Sequence, residues 1–179
     1  MAIHNSTHSL VEEALTEYLA IAEHCITTGK PTGGCYGFPT ALLLFSIVDA
    51  IGSFYRGNNS FTIAVDQKKR TINGTGFQHY FVLNSEYYSQ ALTEKDIQRL
   101  YDYYRCLLVH NAALAPAHFL DIGHPTDPLF AKRPGSSHID YVNLRPFLDL
   151  SHSAVAKFLK VAPTLVPISK QGKGITHKR

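Results

Sequence analysis

Apolar side chains recur at helical spacing in four long segments of the chain, and turn-forming residues separate them. Three of the segments carry one apolar stripe each, whereas the second is apolar on almost every side, as in a helix at the middle of a bundle. The pattern therefore predicts four long helices, over residues 9–28, 39–55, 92–115 and 143–161.

The third segment has the clearest helix signals. Thr93 followed by Asp96 is typical of an N-terminal capping box, and Leu92 with Ile97 is placed as a hydrophobic staple around it. Apolar residues then continue in one stripe to Leu108. We expect one continuous helix over residues 92–115.

The connections are less regular. Residues 61–65 suit a short strand or a helical turn, and residues 77–83 suit a short helix. Residues 118–122 and 138–144 are expected to pair as a small antiparallel hairpin. The predicted fold class is all-α, an up-and-down four-helix bundle with short extra helices or a small hairpin in the connections. Residues 1–166 would form a single domain, and residues 167–179 a basic flexible C-terminal tail.

Composition sets limits on location and partners. Hydrophobic residues are 45% and charged residues 17%, which is typical of a folded domain. Three widely spaced cysteines suit a reducing compartment. The polar N-terminus lacks signal-peptide features, and polar residues interrupt the longest apolar run. We therefore expect a cytoplasmic protein without membrane association.

Arg105 and His110 are candidate chemical residues near the end of the third helix. Five residues turn a regular helix by roughly 500°, so the two side chains would point about 140° apart. Either the helix is distorted there, or each residue meets a partner on another element. Two opposed copies of the helix in a dimer would supply such partners.

Other polar residues leave alternatives open. Asp49 interrupts the apolar second helix, where a buried charge needs a partner; a structural hydrogen bond to a loop amide or a tyrosine hydroxyl would also satisfy it. Cys106 suits a small buried apolar position better than a nucleophile. Four loop residues lack zinc-ligand spacing, so no metal is predicted: His118, His124, Asp127 and His138.

The segment LYDYYRCLLVHN, residues 100–111, resembles the Arg–x(4–6)–His signature of the HEPN superfamily of small helical-bundle proteins. The preceding FPTALLLFSIVDAIGSF is similar to that family's apolar second helix. The bundle-level resemblance covers residues 9–162. One position departs, because Cys106 stands where the family commonly has a polar residue after the arginine.

The resemblance implies a metal-independent endoribonuclease without a cofactor, of the kind found in toxin–antitoxin and other defence systems. Such proteins are homodimers whose two Arg–His motifs face each other in a composite cleft. The implied partners are RNA, a second copy of the chain and a cognate antitoxin. Other members are inactive, so the alternative is a non-catalytic module that binds nucleic acid, nucleotide or a partner protein.

Residue roles follow from this resemblance together with RNA chemistry. His110 would act as the acid and base, and Arg105 would bind the scissile phosphate through planar, paired donors. Asn111 would orient the backbone or the ribose. Asp49 would pair with Arg105 or fix the tautomer of His110.

Overall fold

The computed structural model describes residues 6–176; the polar start predicted above, residues 1–5, and the last part of the basic tail, residues 177–179, lie outside the described residues. Six α-helices and five strands are present in the described part of the chain. The helices are α1 (Thr7–Thr27), α2 (Gly37–Phe54), α3 (Glu94–Arg99), α4 (Leu107–Asn111), α5 (Leu144–Ile168) and α6 (Lys170–Thr176). A 3-10 helix spans Gly76–Asn84, and a π-helical segment, Leu100–Cys106, joins α3 to α4.

The prediction of an all-α bundle is wrong, because two small sheets accompany the helices and make the fold mixed α/β. Strands β1 (Ile63–Val65) and β2 (Lys68–Arg70) form an antiparallel hairpin. Its two turn residues both adopt positive φ, with Asp66 at 51° and Gln67 at 60°. Such a turn matches the right-handed twist of the flanking strands.

The second sheet has the order β3–β5–β4, from strands β3 (Phe119–Asp121), β4 (Phe130–Ala131) and β5 (Tyr141–Asn143). The predicted hairpin places β3 and β5 correctly along the sequence but gives the wrong orientation, because these strands are parallel. The chain passes through β4, which lies antiparallel on the other side of β5, before it returns. This intervening strand makes the parallel pairing possible.

The core is centred on α2, which packs against α1, α5 and the 3-10 helix. By length and composition alone, α2 could cross a membrane. Most of its apolar side chains are instead buried in the fold, as in the core helix of a soluble protein; those with no exposed surface are Ala41, Leu44, Phe45, Ile47, Val48 and Ile51.

The C-terminal region is helical further along the chain than the sequence predicts. Helix α5 continues past residue 161 through Pro163 and Pro167, and α6 follows it directly. Leu165 and Val166 are buried in these last turns, and their packing offsets the backbone hydrogen bonds that the prolines remove. The described part of the predicted flexible tail is therefore helical.

Candidate functional site

The predicted third helix is present but not continuous. The Thr93 cap is confirmed, since the backbone N–H of Asp96 donates to the Thr93 hydroxyl at 3.1 Å. After α3 the backbone adopts π geometry over Leu100–Cys106, and the helix ends at Asn111, followed by Ala112 with φ of 50°. Arg105 lies within the π-helical segment. The helix is thus distorted at Arg105, which is one of the two alternatives that the spacing leaves open, and π-bulges are frequent at functional sites.

The carboxylate of Asp49 contacts two side chains, the guanidinium of Arg105 and the imidazole of His79. Arg105 donates from Nη2 to Asp49 Oδ2 at 2.9 Å, and Asp49 Oδ1 lies 2.7 Å from His79 Nδ1. The side chains of Asp49 and Arg105 are 22% and 25% exposed, whereas that of His79 is 9% exposed. We call these three residues the Asp49 cluster; it opens to solvent on the side of Arg105.

A glycine on α2 explains why His79 reaches Asp49. A Cβ added at Gly52 would lie only 2.1 Å from the carbonyl oxygen of His79. Gly52 is one helical turn after Asp49, so the 3-10 helix can approach α2 closely on the same side as the carboxylate. The sequence AIGSF therefore brings the ring of His79 to Asp49.

The charge of Arg105 is secured by its surroundings. Partial burial lowers the pKa of Arg105, but neighbouring Tyr80, Asp49 and Tyr101 outweigh burial and raise it overall. The guanidinium also lies 5.7 Å from the centre of the Tyr101 ring. Arg105 is therefore a fixed cation, although Asp49 balances its charge.

Two nitrogens of the Asp49 cluster have no hydrogen-bond partner among the described residues, although both are buried. They are Nε2 of His79 and Nε of Arg105. Because the ionised carboxylate of Asp49 can only accept, Nδ1 of His79 carries the proton in this pair.

His110 and Asn111 lie apart from the Asp49 cluster. Both are exposed on α4, and His110 makes no hydrogen bond or ion pair within residues 6–176. Asp49 pairs with Arg105, one of its two predicted roles, but the histidine that it contacts is His79. Within one chain, the structure therefore joins Asp49 and Arg105 and leaves His110 accessible.

Sequence reasoning missed His79. Residues 61–90 show no clear periodicity, so nothing in that region singles out one histidine. Two signals pointed to a close neighbour of α2: Asp49 needed a partner, and an isolated glycine followed it by one turn. Cys106, beside Arg105, is half-buried and lies near Tyr101.

The residues considered for a metal do not form a site. Across residues 6–176, no group of three or more His, Cys, Asp or Glu side chains is arranged to hold a metal ion. His118 and His138 instead stack, with ring centres 6.3 Å apart. The Asp127 carboxylate closes the turn at His124, because it accepts from the His124 backbone N–H at 2.6 Å.

Comparison with known proteins neither supports nor contradicts the resemblance to the HEPN superfamily. No protein-family model, curated protein sequence or solved structure matches this chain. The HEPN resemblance therefore depends on residues 100–111 and on the apolar second helix, and it stays a prediction.

Proposed function

We propose that the protein is a cytoplasmic, metal-independent endoribonuclease that cleaves RNA at a site formed by two copies of the chain. Arg105 binds the scissile phosphate and His110 transfers protons. RNA carries its own nucleophile, the 2′-hydroxyl, so the protein needs to supply a proton acceptor, a proton donor and a fixed cation. Imidazole side chains titrate near neutral pH and suit the first two tasks.

The observation that carries this proposal is the fixed but accessible position of Arg105. Asp49 holds one of its nitrogens at 2.9 Å, while a quarter of the side chain remains exposed. A guanidinium that is already oriented loses little freedom when it binds a phosphate. Its planar donors can pair with two phosphate oxygens at once.

His110 supports the composite arrangement because it is exposed and free on the same helical segment. Within its own chain Arg105 pairs with Asp49 rather than with His110, so a second copy supplies the opposing group. Val109, next to it, is 43% exposed and offers apolar contact for that second copy. Asn111 lies at the same helix end, where it can orient the ribose. A cognate antitoxin would bind over this helix end and block access to His110.

A second candidate is a non-catalytic module that binds nucleic acid. Two observations favour it: Cys106 follows the motif arginine, and Asp49 already balances the charge of Arg105. Such a module would retain the exposed helix end for binding but would release no products.

The test is cleavage of a mixed-sequence RNA in the presence of EDTA, comparing the wild type with His110→Ala. We expect the variant to lose cleavage while its melting temperature stays within about 2 °C of the wild type, because surface substitutions usually change stability little. His152→Ala is the matched control, since His152 is also an exposed helical histidine, on α5. Retained cleavage in His110→Ala would refute the assignment. RNA binding by the wild type without any products would select the second candidate.

A further inference from the structure

Cationic and aromatic side chains alternate in a row that begins on α3. The guanidinium of Arg99 lies 4.9 Å from the centre of the Tyr103 ring. The Tyr103 ring lies 4.9 Å from the ring of His118. His118 in turn stacks on His138, with ring centres 6.3 Å apart and planes 23° apart.

The row continues across the second sheet. The fully buried carboxylate of Asp140 pairs with His138 at 3.3 Å and with Arg133 at 3.4 Å. Arg133 then lies over the ring of Phe119, 5.6 Å from its centre. We call the six side chains that carry the contacts the cation–aromatic row: Arg99, Tyr103, His118, His138, Arg133 and Phe119.

The far half of the row is open to solvent. The side chains of His138 and Arg133 are 35% and 41% exposed, and Phe119 is 41% exposed. Beside them lies a cavity of about 350 Å³, lined by Arg133, Pro134, Gly135, Ser136 and His138. This space is large enough for a phosphate group and its sugar.

Unpaired nitrogens concentrate along this row. Among the described residues, five buried side-chain polar atoms have no hydrogen-bond partner, and three of them are Arg99 Nε, His118 Nε2 and Arg133 Nε. The other two belong to the Asp49 cluster. The arginine Nε groups are N–H donors, and leaving such donors unmet is costly. These nitrogens are themselves buried, so a ligand would contact the exposed part of the Arg133 side chain, which is 41% exposed, rather than its Nε.

We propose that the cation–aromatic row binds single-stranded RNA, with phosphates at Arg99 and Arg133 and bases stacked on Tyr103 and Phe119. Alternating cations and aromatic rings are the combination that binds single strands without strict sequence preference. A duplex keeps its base faces stacked inside, so aromatic side chains cannot reach them. The row therefore selects unpaired RNA.

The row also leads toward the proposed cleavage residues. His110 follows Tyr103 by seven residues on the same helical segment, so the two lie about 10 Å apart along its axis. The Tyr104 hydroxyl donates to the Asp140 carbonyl at 2.7 Å and ties the π-helical segment to the sheet. An RNA strand bound along the row is thus led toward His110. Only this guidance depends on the proposed nuclease function; the binding does not.

The test measures the affinity of a short fluorescein-labelled single-stranded RNA by fluorescence anisotropy, with His110→Ala as background to prevent cleavage. Arg133→Gln and Phe119→Ala should each weaken binding about tenfold, because one phosphate contact or one stacked base is lost. Arg133→Gln should also reduce the slope of log affinity against log salt by about 0.7, whereas Phe119→Ala should leave that slope unchanged.

Two matched controls lie away from the row. Arg70 is 43% exposed, close to the 41% of Arg133, and pairs with Glu94 at 2.9 Å; Glu94 is 37% exposed, whereas Asp140 is fully buried. Phe38 is 49% exposed, close to the value for Phe119. Arg70→Gln and Phe38→Ala should bind the RNA as the background protein does.

The outcomes separate this inference from the proposed function. Equal affinity of the row variants and the controls would overturn it, as would equal binding of duplex RNA or no RNA binding at all. If Arg133→Gln fails to fold, as judged by circular dichroism, Phe119→Ala decides the matter. Wild-type protein that binds through the row but releases no products would overturn the nuclease proposal alone. Weakened binding together with unaltered cleavage kinetics in the row variants would overturn only the guidance of RNA to His110.

Discussion

His79 Nδ1 lies 2.7 Å from Asp49 Oδ1, and this contact fixes the carboxylate that holds Arg105. The other carboxylate oxygen accepts from Arg105 at 2.9 Å. A hydrogen bond to one oxygen of a carboxylate restricts the orientation of the whole group. Losing such a supporting partner commonly lowers activity. His79 is therefore placed to position Arg105 without touching the substrate.

Substitution of His79 tests this positioning. His79→Asn keeps an N–H donor near the Nδ1 position, whereas His79→Leu keeps the volume but leaves Asp49 with one partner. We expect His79→Leu to lower kcat for RNA cleavage about tenfold, with a smaller change in KM, and His79→Asn to recover most of the loss. The measurement is steady-state cleavage at matched melting temperature. Equal kcat in the two variants would argue against a positioning role.

The close approach at Gly52 gives a stability prediction. Gly52→Ala places a Cβ 2.1 Å from the His79 carbonyl oxygen, so the 3-10 helix must move away from α2. We expect the free energy of unfolding to fall by about 3 kcal/mol, the upper part of the usual range for overpacking. Urea denaturation monitored by circular dichroism measures it.

Gly174→Ala is the matched control for that experiment. Gly174 also lies in a helix, but an added Cβ meets no atom within 4 Å. Alanine favours a helix over glycine, so this variant should be neutral or more stable by about 0.5 kcal/mol. Similar losses in both variants would show that the His79 contact is not the cause.

The long helices could be predicted because apolar spacing and caps are local properties of the sequence. The sheets could not: β4 has two residues and the other strands three each, too short for alternation to be recognised. The orientation of β3 relative to β5 depends on how the chain crosses between them. An all-α fold was therefore the natural but wrong conclusion.

The candidate site was partly predictable for a similar reason. A charged residue on an apolar helix must find a partner, so pairing of Asp49 with Arg105 was one expected outcome. His79 belongs to a 3-10 helix whose approach depends on tertiary packing at Gly52. The π-helical segment around Arg105 likewise depends on contacts between elements, which spacing along the sequence does not contain.

Acid stability should depend on Asp140. Burial raises the pKa of Asp140, but hydrogen bonds from Ser136 and Arg133 outweigh burial and lower it to about 2. Because this value lies below the ordinary 3.8, ionised Asp140 favours the folded state above about pH 4. That contribution is lost as the pH falls toward 2.

Asp140→Asn provides the measurement. The variant should be less stable than the wild type at pH 6, and the difference should shrink between pH 4 and pH 2 as the wild-type carboxylate becomes protonated. Urea unfolding at several pH values follows this change, with Asp121→Asn as a control for the loss of one negative charge. A difference that stays constant down to pH 2 would contradict the assignment.

The composite site predicts that two inactive variants restore each other. Arg105→Gln keeps a donor for Asp49 but loses the cation, and His110→Ala loses the proton carrier; each homodimer should be inactive. In a mixed dimer, one chain supplies an intact Arg105 and the other an intact His110. Refolding the two variants together gives mixed dimers in about half of the assemblies, and these should recover cleavage.

The control replaces His110→Ala by the double variant, which carries both substitutions and has no intact motif residue to contribute. Its mixture with Arg105→Gln should stay inactive, and two different affinity tags confirm that mixed dimers have formed. Recovery in the first mixture alone would place the cooperating Arg105 and His110 on opposite chains. Mixed dimers without recovery would show that Arg105 and His110 do not cooperate across the interface.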